Sequence, residues 1–216
     1  MKLRHRVIVA LDVTDPRRAT AIAESVRPFV DAVKVGWPLV LAGGLEVVRA
    51  LAKSGYVLCD FKIADIPNTN RLIVEQSIAA GASGVICHGF TGEDSVRACV
   101  EGAKGADVYV VTEMSHPGGI EFTAKHAEDF ARIAVRVNAT GIVAPATRPD
   151  RVRALRVIVG QRQILSPGVG AQGGRAMDAI SAGADAVIVG RAITDAKDPS
   201  KAAGEIAAEI RGIAPR

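Results

Sequence analysis

The chain has 216 residues, of which 49% are hydrophobic and 23% charged. A chain of that length buries roughly 70% of the surface its unfolded form exposes, which excludes a disordered segment or a fold that depends on covalent staples. The 27 basic and 23 acidic residues leave a formal charge of +4, but they are interspersed and aromatics are only 4%, so neither a nucleic-acid footprint nor a base-stacking platform is indicated.

The first apolar run, Val7 to Val13, already contains Asp12, so it is too short for a signal sequence or a membrane span. Cys59, Cys87 and Cys99 are odd in number and form no Cys-x-x-Cys pair, which suits neither a disulfide framework nor a zinc site. The expectation is a cytoplasmic protein in a reducing compartment, without membrane or nucleic-acid partners and without a metal.

Short β-branched runs then recur along the chain: Val7 to Val13, Ala32 to Trp37, Tyr56 to Ile63, Gly84 to Phe90, Val108 to Ser115, Gly141 to Thr147, Gln163 to Val169 and Ala186 to Thr194. Their spacing suits one strand-helix unit each, and no linker interrupts the series. Asp15-Pro16 and Asp198-Pro199 place a capping acid before a proline at the first helical position, and Gly55 and Gly81 stand where helices would stop. Ala19, Ile22, Ala23 and Val26 form one apolar stripe at helical spacing. The runs are apolar on both faces, as a parallel sheet covered by helices requires.

Eight such units predict a single (β/α)₈ TIM barrel over residues 1–216. The competing topology, an open doubly wound sheet, is disfavoured because Asp12-Val13-Thr14-Asp15 stands where a glycine-rich dinucleotide loop would follow the first strand.

In such a barrel the active site lies at the C-terminal ends of the strands. Asp12, Lys34, Asp60, Lys62, His88, Ser115, Thr147, Ser166 and Arg191 all fall there. A charge buried alone costs several kcal/mol, and several of them converging at one mouth point to function more than to isolated salt bridges. Strand alternation places Asp60 and Lys62 on the inner face and Cys59 and Phe61 toward the helices. Asp65 falls in the loop beyond. The segment Ser166-Pro167-Gly168-Val169-Gly170-Ala171-Gln172-Gly173-Gly174 and the later Gly190-Arg191 pair occupy the loops that hold phosphate in this fold. Glu113 is expected to pair with a lysine, Trp37 to pack near the mouth, and His88 to be a hydrogen-bonded core residue.

These residues resemble the orotidine 5'-phosphate decarboxylase family, its archaeal type in particular, over nearly the whole chain. The likeness is carried by Leu11-Asp12, Lys34-Val35-Gly36-Trp37-Pro38-Leu39-Val40, Asp60-Phe61-Lys62-Ile63-Ala64-Asp65-Ile66-Pro67, Thr112-Glu113-Met114-Ser115-His116-Pro117-Gly118, Ser166 to Gly174 and Ile188-Val189-Gly190-Arg191. The resemblance implies a homodimer with shared active sites that converts orotidine 5'-monophosphate to UMP without metal or organic cofactor. It makes Lys62 the general acid, places Asp60 beside the substrate carboxylate and holds it with Lys34, and sends Asp65 and Thr69 into the partner's site. It gives Asp12 a ribose hydroxyl, Ser115 the pyrimidine, and Pro167, Gly168, Gln172, Gly190 and Arg191 the phosphate end. One departure is Thr194, where archaeal relatives carry a phosphate-binding tyrosine.

The sister group with the same Asp-x-Lys-x-x-Asp pattern comprises magnesium-dependent 3-keto-gulonate 6-phosphate decarboxylases and hexulose phosphate synthases. That group carries an acidic metal ligand where this chain has Lys34. A non-catalytic barrel that senses phosphorylated metabolites is the remaining alternative, and it leaves the charged array unexplained.

Overall fold

Runs of Val, Ile and Ala with no polar face can form strands only where both faces are covered, and the fold covers them with barrel interior on one side and helices on the other. The computed structural model describes residues 1–213. Eight strands, β1 (Val7–Ala10), β2 (Ala32–Gly36), β3 (Val57–Ile63), β4 (Gly84–His88), β5 (Asp107–Val111), β6 (Gly141–Val143), β7 (Gln163–Pro167) and β8 (Ala186–Val189), pair in sequence order into a closed barrel. Every pairing is parallel, and β8 returns to β1. The expected (β/α)₈ barrel is therefore the fold.

Among the described residues ten α-helices lie between and after the strands: α1 (Pro16–Val26), α2 (Trp37–Gly43), α3 (Glu46–Ala52), α4 (Pro67–Ala79), α5 (Glu93–Gly102), α6 (Ala127–Arg136), α7 (Pro149–Val159), α8 (Ala176–Ser181), α9 (Arg191–Thr194) and α10 (Pro199–Arg211). The Asp15 carboxylate accepts from the Arg17 amide at 2.9 Å and that of Asp198 from the Lys201 amide at 3.0 Å, so both expected caps form ahead of a first-turn proline.

Side chains sort into two layers by strand alternation. Ile8, Ala10, Leu58, Ile86, Tyr109, Val143 and Leu165 fill the barrel, while Val7, Val9, Val35, Cys59, Phe61 and Val85 face the helices with Ala19, Ile22 and Val26. Cys59, Cys87 and Cys99 are all free and buried.

Most strands end earlier than their apolar runs. β1 stops at Ala10, β5 at Val111, β6 at Val143 and β8 at Val189, and residues 191–194 are the short helix α9. Leu11, Val13, Ala144 and Ala146 beyond these ends are nonetheless buried. An apolar run reports burial, whereas a ladder ends where its neighbour stops supplying partners. Trp37 likewise opens α2 instead of closing the second strand. Among the described residues, no helix is long and apolar enough to cross a membrane.

Candidate active site

Closing the barrel brings the C-terminal ends of the strands around a cavity of about 700 Å³. Asp12, Lys34, Asp60, Lys62, Ser115, Pro167, Gly168, Gln172, Gly190 and Arg191 all line it. Ten sequence-selected residues thus converge from six strand ends.

At the centre stands Asp60, buried in the middle of β3. Register pairs Gly36 with Asp60 and Ala10 with Lys34, which steps the β2 lysine one layer below the β3 carboxylate. Lys34 Nζ lies 3.0 Å from Asp60 Oδ2 and 3.1 Å from Asp12 Oδ1. Lys62 Nζ reaches both Asp60 oxygens at 2.9 Å. The order along the cavity floor is therefore Asp12, Lys34, Asp60, Lys62, with the signs alternating.

Burial alone would raise the Asp60 carboxyl, but the two lysines outweigh it and hold it below the ordinary carboxylate range. Lys34 shows the converse: burial would lower its ammonium, and Asp60 with Asp12 keep it above the usual lysine value. Asp60 and Lys34 are thus both charged at neutral pH. Gly36 gives the array room, since a Cβ there would stand 3.1 Å from Asp12 Oδ1.

The backbone around Lys62 departs from plain alternation. The register between β3 and β4 slips between Cys59 and Ile63, and Lys62 has φ +44°, a left-handed conformation that costs a non-glycine residue about 1 kcal/mol or more. The bulge turns the Lys62 side chain along Asp60 and into the cavity. Trp37 Nε1 donates to the Phe61 carbonyl at 2.9 Å and its ring lies 4.7 Å from that of Phe61, so Trp37 pins the bulge as well as packing.

The opposite wall comes from the loops after β5, β6 and β7. Ser115 Oγ donates to Gln172 Oε1 at 2.8 Å, and Thr147 Oγ1 donates to the Ser115 carbonyl at 3.0 Å. Gly168 has φ +99°, and a Cβ there would meet Thr147 and Ser115 at 3.1 and 3.2 Å, so only glycine allows the three loops to close together. Gly190 and Arg191 complete the rim. Thr194 is buried within α9 and does not line the cavity, so its hydroxyl is not among the groups offered to an anion.

Asp65 and Thr69 are not brought to this cavity within the chain. Asp65 is exposed in the loop before α4, while Thr69 is half-buried in that helix's first turn. Asn70 Oδ1 accepts from the Asp65 amide at 2.9 Å and Ser95 Oγ donates to the Asp65 carbonyl at 2.8 Å. These two residues, which sequence reasoning missed, fix the backbone that presents Asp65. Their signal was slight: a polar residue on the buried face of each helix.

Two further expectations change. Glu113 lies just past β5 and pairs with Arg148 and Arg151, at 2.6 and 2.9 Å, not with a lysine, because α7 begins beside it and supplies guanidinium forks. His88 Nδ1 is buried without a hydrogen-bond partner, and the ring instead packs against Phe90, tilted by 45° with centroids 4.7 Å apart. Burial, with Lys62 nearby and only part offset by Asp60, pushes His88 down to about 4. Among the described residues, no group of three or more His, Cys, Asp or Glu side chains is placed to hold a metal ion.

A parallel barrel with a buried lysine-carboxylate chain under an anion-ready glycine rim defines an enzyme class that acts on phosphorylated small molecules. The profile of the orotidine 5'-phosphate decarboxylase / HUMPS family matches residues 5–206, and the chain belongs to that family. It is 61% identical to an orotidine 5'-phosphate decarboxylase of Methanosarcina mazei over 95% of this chain and 94% of the relative. The crystal structure of the Pyrococcus horikoshii enzyme superposes with a TM-score of 0.89 at 45% identity, covering 96% of this chain and all of that one. The Methanocaldococcus jannaschii enzyme complexed with inhibitor BMP gives the same TM-score at 42% identity, covering 94% and 96% of the two chains.

Proposed function

We propose that this protein is an orotidine 5'-monophosphate decarboxylase that forms UMP for pyrimidine biosynthesis, with Lys62 as its proton donor. The observation that carries the assignment is Asp60, buried between Lys34 and Lys62 with its open side on the cavity. A pyrimidine nucleotide fits with its phosphate against Gln172, Gly190 and Arg191 and its ring against Ser115. Its carboxylate then faces Asp60, and Asp12 serves a ribose hydroxyl.

Two like charges about 4 Å apart repel by about 4 kcal/mol at an effective dielectric near 20. That repulsion is relieved as the carboxylate leaves as neutral CO₂, so it counts toward rate and not merely toward binding. The ring-to-carboxylate C–C bond breaks and its electron pair stays on the ring carbon. The Lys62 ammonium stabilises the carbanion and gives it a proton, and solvent re-protonates the amine afterward. Phosphate binding offsets the repulsion and draws the rim over the site. Lys34 holds Asp60 in place, and its charge disfavours a cation there.

The proposal includes a cytoplasmic homodimer of single-barrel subunits in which Asp65 and Thr69 serve the neighbouring site. Support for sharing comes from the outward position of Asp65 on a loop braced by Asn70 and Ser95. The test of function is the loss of pyrimidine absorbance when purified protein is added to orotidine 5'-monophosphate with EDTA present. Full turnover supports the assignment; a strict magnesium requirement or no turnover contradicts it. Sharing is tested by mixing Asp65→Ala and Lys62→Ala homodimers, each nearly inactive. Random exchange gives half mixed dimers with one intact site of two, hence about a quarter of wild-type activity; no recovery after confirmed exchange contradicts it.

A further inference from the structure

Glu113 is fully buried, with 0% of its side chain exposed, yet it takes no part in the Asp12–Lys34–Asp60–Lys62 chain. Its two oxygens accept separately, Oε1 from Arg148 Nε at 2.6 Å and Oε2 from Arg151 Nε at 2.9 Å. Burying a carboxylate costs several kcal/mol, and two charge-assisted bonds offset that cost. Stability alone would be served as well by an apolar side chain of similar volume.

What the two arginines hold besides Glu113 gives the arrangement its sense. Arg148 Nη2 also donates to the Met114 carbonyl, and Arg151 Nη2 donates to the Ala124 carbonyl at 3.3 Å. Thr147, next to Arg148, holds the Ser115 carbonyl. Within the same loop, Thr123 Oγ1 accepts from the Met114 amide at 3.2 Å and donates to the Gly119 carbonyl at 2.8 Å. The loop after β5 is therefore tied at both ends, through one buried carboxylate, to the start of α7. Ser115, which meets Gln172 across the cavity, sits directly on the tied segment.

We propose that Glu113 is a positioning residue: clasped by Arg148 and Arg151, it sets the loop that carries Ser115 in register with Gln172, so that the ring end and the phosphate end of the cavity close as one unit. The kinetic side of this clasp rests on the decarboxylase assignment above. Removing the charge frees the loop while leaving Lys62 and Asp60 in place. The loss should therefore fall on the share of binding energy that passes from phosphate to reacting carbon, and should be carried by Ser115.

The experiment uses Glu113→Gln, Ser115→Ala and the double variant. Glu113→Gln should lower kcat/KM for orotidine 5'-monophosphate about 30-fold, about 2 kcal/mol at 1.36 kcal/mol per tenfold. The double variant should be no worse than the worse single one, because both act through the same contact. In hydrogen exchange, amides of residues 114–124 in Glu113→Gln should exchange at least about tenfold faster, with the strand amides unchanged. Additive kinetic losses, or unaltered loop exchange, would overturn the proposal and leave Glu113 a structural ion-pair partner. If the wild type does not turn over the nucleotide, the decarboxylase assignment fails while the exchange result still decides the clasp. If Glu113→Gln does not fold, Arg151→Lys keeps the charge but loses the fork, and carries the same comparison with a smaller effect.

Discussion

The barrel holds a carboxylate at each end, part-buried Asp107 at the base and buried Asp60 at the mouth, and the two are treated in opposite ways. At the base, Asp107 accepts from Tyr56 Oη at 2.6 Å, Thr140 Oγ1 at 3.1 Å and the Met1 amino group at 2.6 Å. Tyr109 beside it donates to Gln163 at 2.5 Å. Burial and then the neighbouring charges raise both phenols well above the usual tyrosine range, so they remain donors and the network closes on itself. At the mouth, Asp60 is held as firmly, but Lys62 is 37% exposed and the whole chain of charges opens on the cavity. A closed polar network confers rigidity, whereas one with an open side can lend its field to a ligand.

Perturbing each end should break different things. The largest effect belongs to Lys62→Ala, which removes both the proposed proton donor and a cation of the array; kcat/KM should fall by several orders of magnitude in the absorbance assay. Retention of more than about a tenth of the activity would contradict the role. Arg191→Ala comes next, because the proposal gives its guanidinium charge-assisted bonds to the phosphate dianion. Affinity for phosphorylated substrate and for UMP should drop about 30-fold by titration, while slow turnover of the nucleoside without phosphate is unchanged. Equal loss with both substrates would instead place Arg191 on the ring or in the fold.

At the base, Tyr56→Phe should cost about 1 kcal/mol, seen as a fall of roughly 2–4 °C in Tm, with kcat/KM intact. Loss of activity there would erase the contrast between the two ends. The smallest effect concerns pH. Folded His88 lies at about 4 against an ordinary 6.5, so between those values the unfolded chain binds the additional proton. Its contribution is complete above about 6.5 and is lost as pH falls toward 4. Denaturant midpoints of His88→Gln should therefore depend less on pH across that window than those of the wild type; an identical slope would show that another group is responsible.

The barrel was legible because eight apolar runs at regular spacing admit few topologies, and the array was legible because charged residues inside such runs must find partners. Period-two alternation put Asp60 and Lys62 on one face, which holds, although the left-handed backbone at Lys62 and the register slip have no signature in the residues themselves. The runs to Val13, Ser115 and Thr194 overshot their strands because apolar residues buried beyond a strand, in a loop or in the short helix α9, read like strand. Glu113 was seen to need a cation, but its arginines lie 35 and 38 residues away, and only the closure of the barrel makes them neighbours. Asn70 and Ser95 stayed hidden for the same reason, since each is an ordinary polar helix residue until Asp65 is laid against it. Asp65 was picked out by its place in the loop past β3, but its role, and Thr69 altogether, came from resemblance, and the single chain leaves both outside the cavity.

The central claim is that Asp60 opposes the bound substrate and is relieved when CO₂ departs. It is tested most directly by calorimetric titration in a Lys62→Ala background, where turnover does not interfere. Adding Asp60→Asn should tighten orotidine 5'-monophosphate at least about tenfold relative to UMP, since only the former carries the carboxylate that meets Asp60. An unchanged ratio, or a selective weakening of the substrate, would contradict the account and leave carbanion stabilisation by the lysine as the whole of the chemistry.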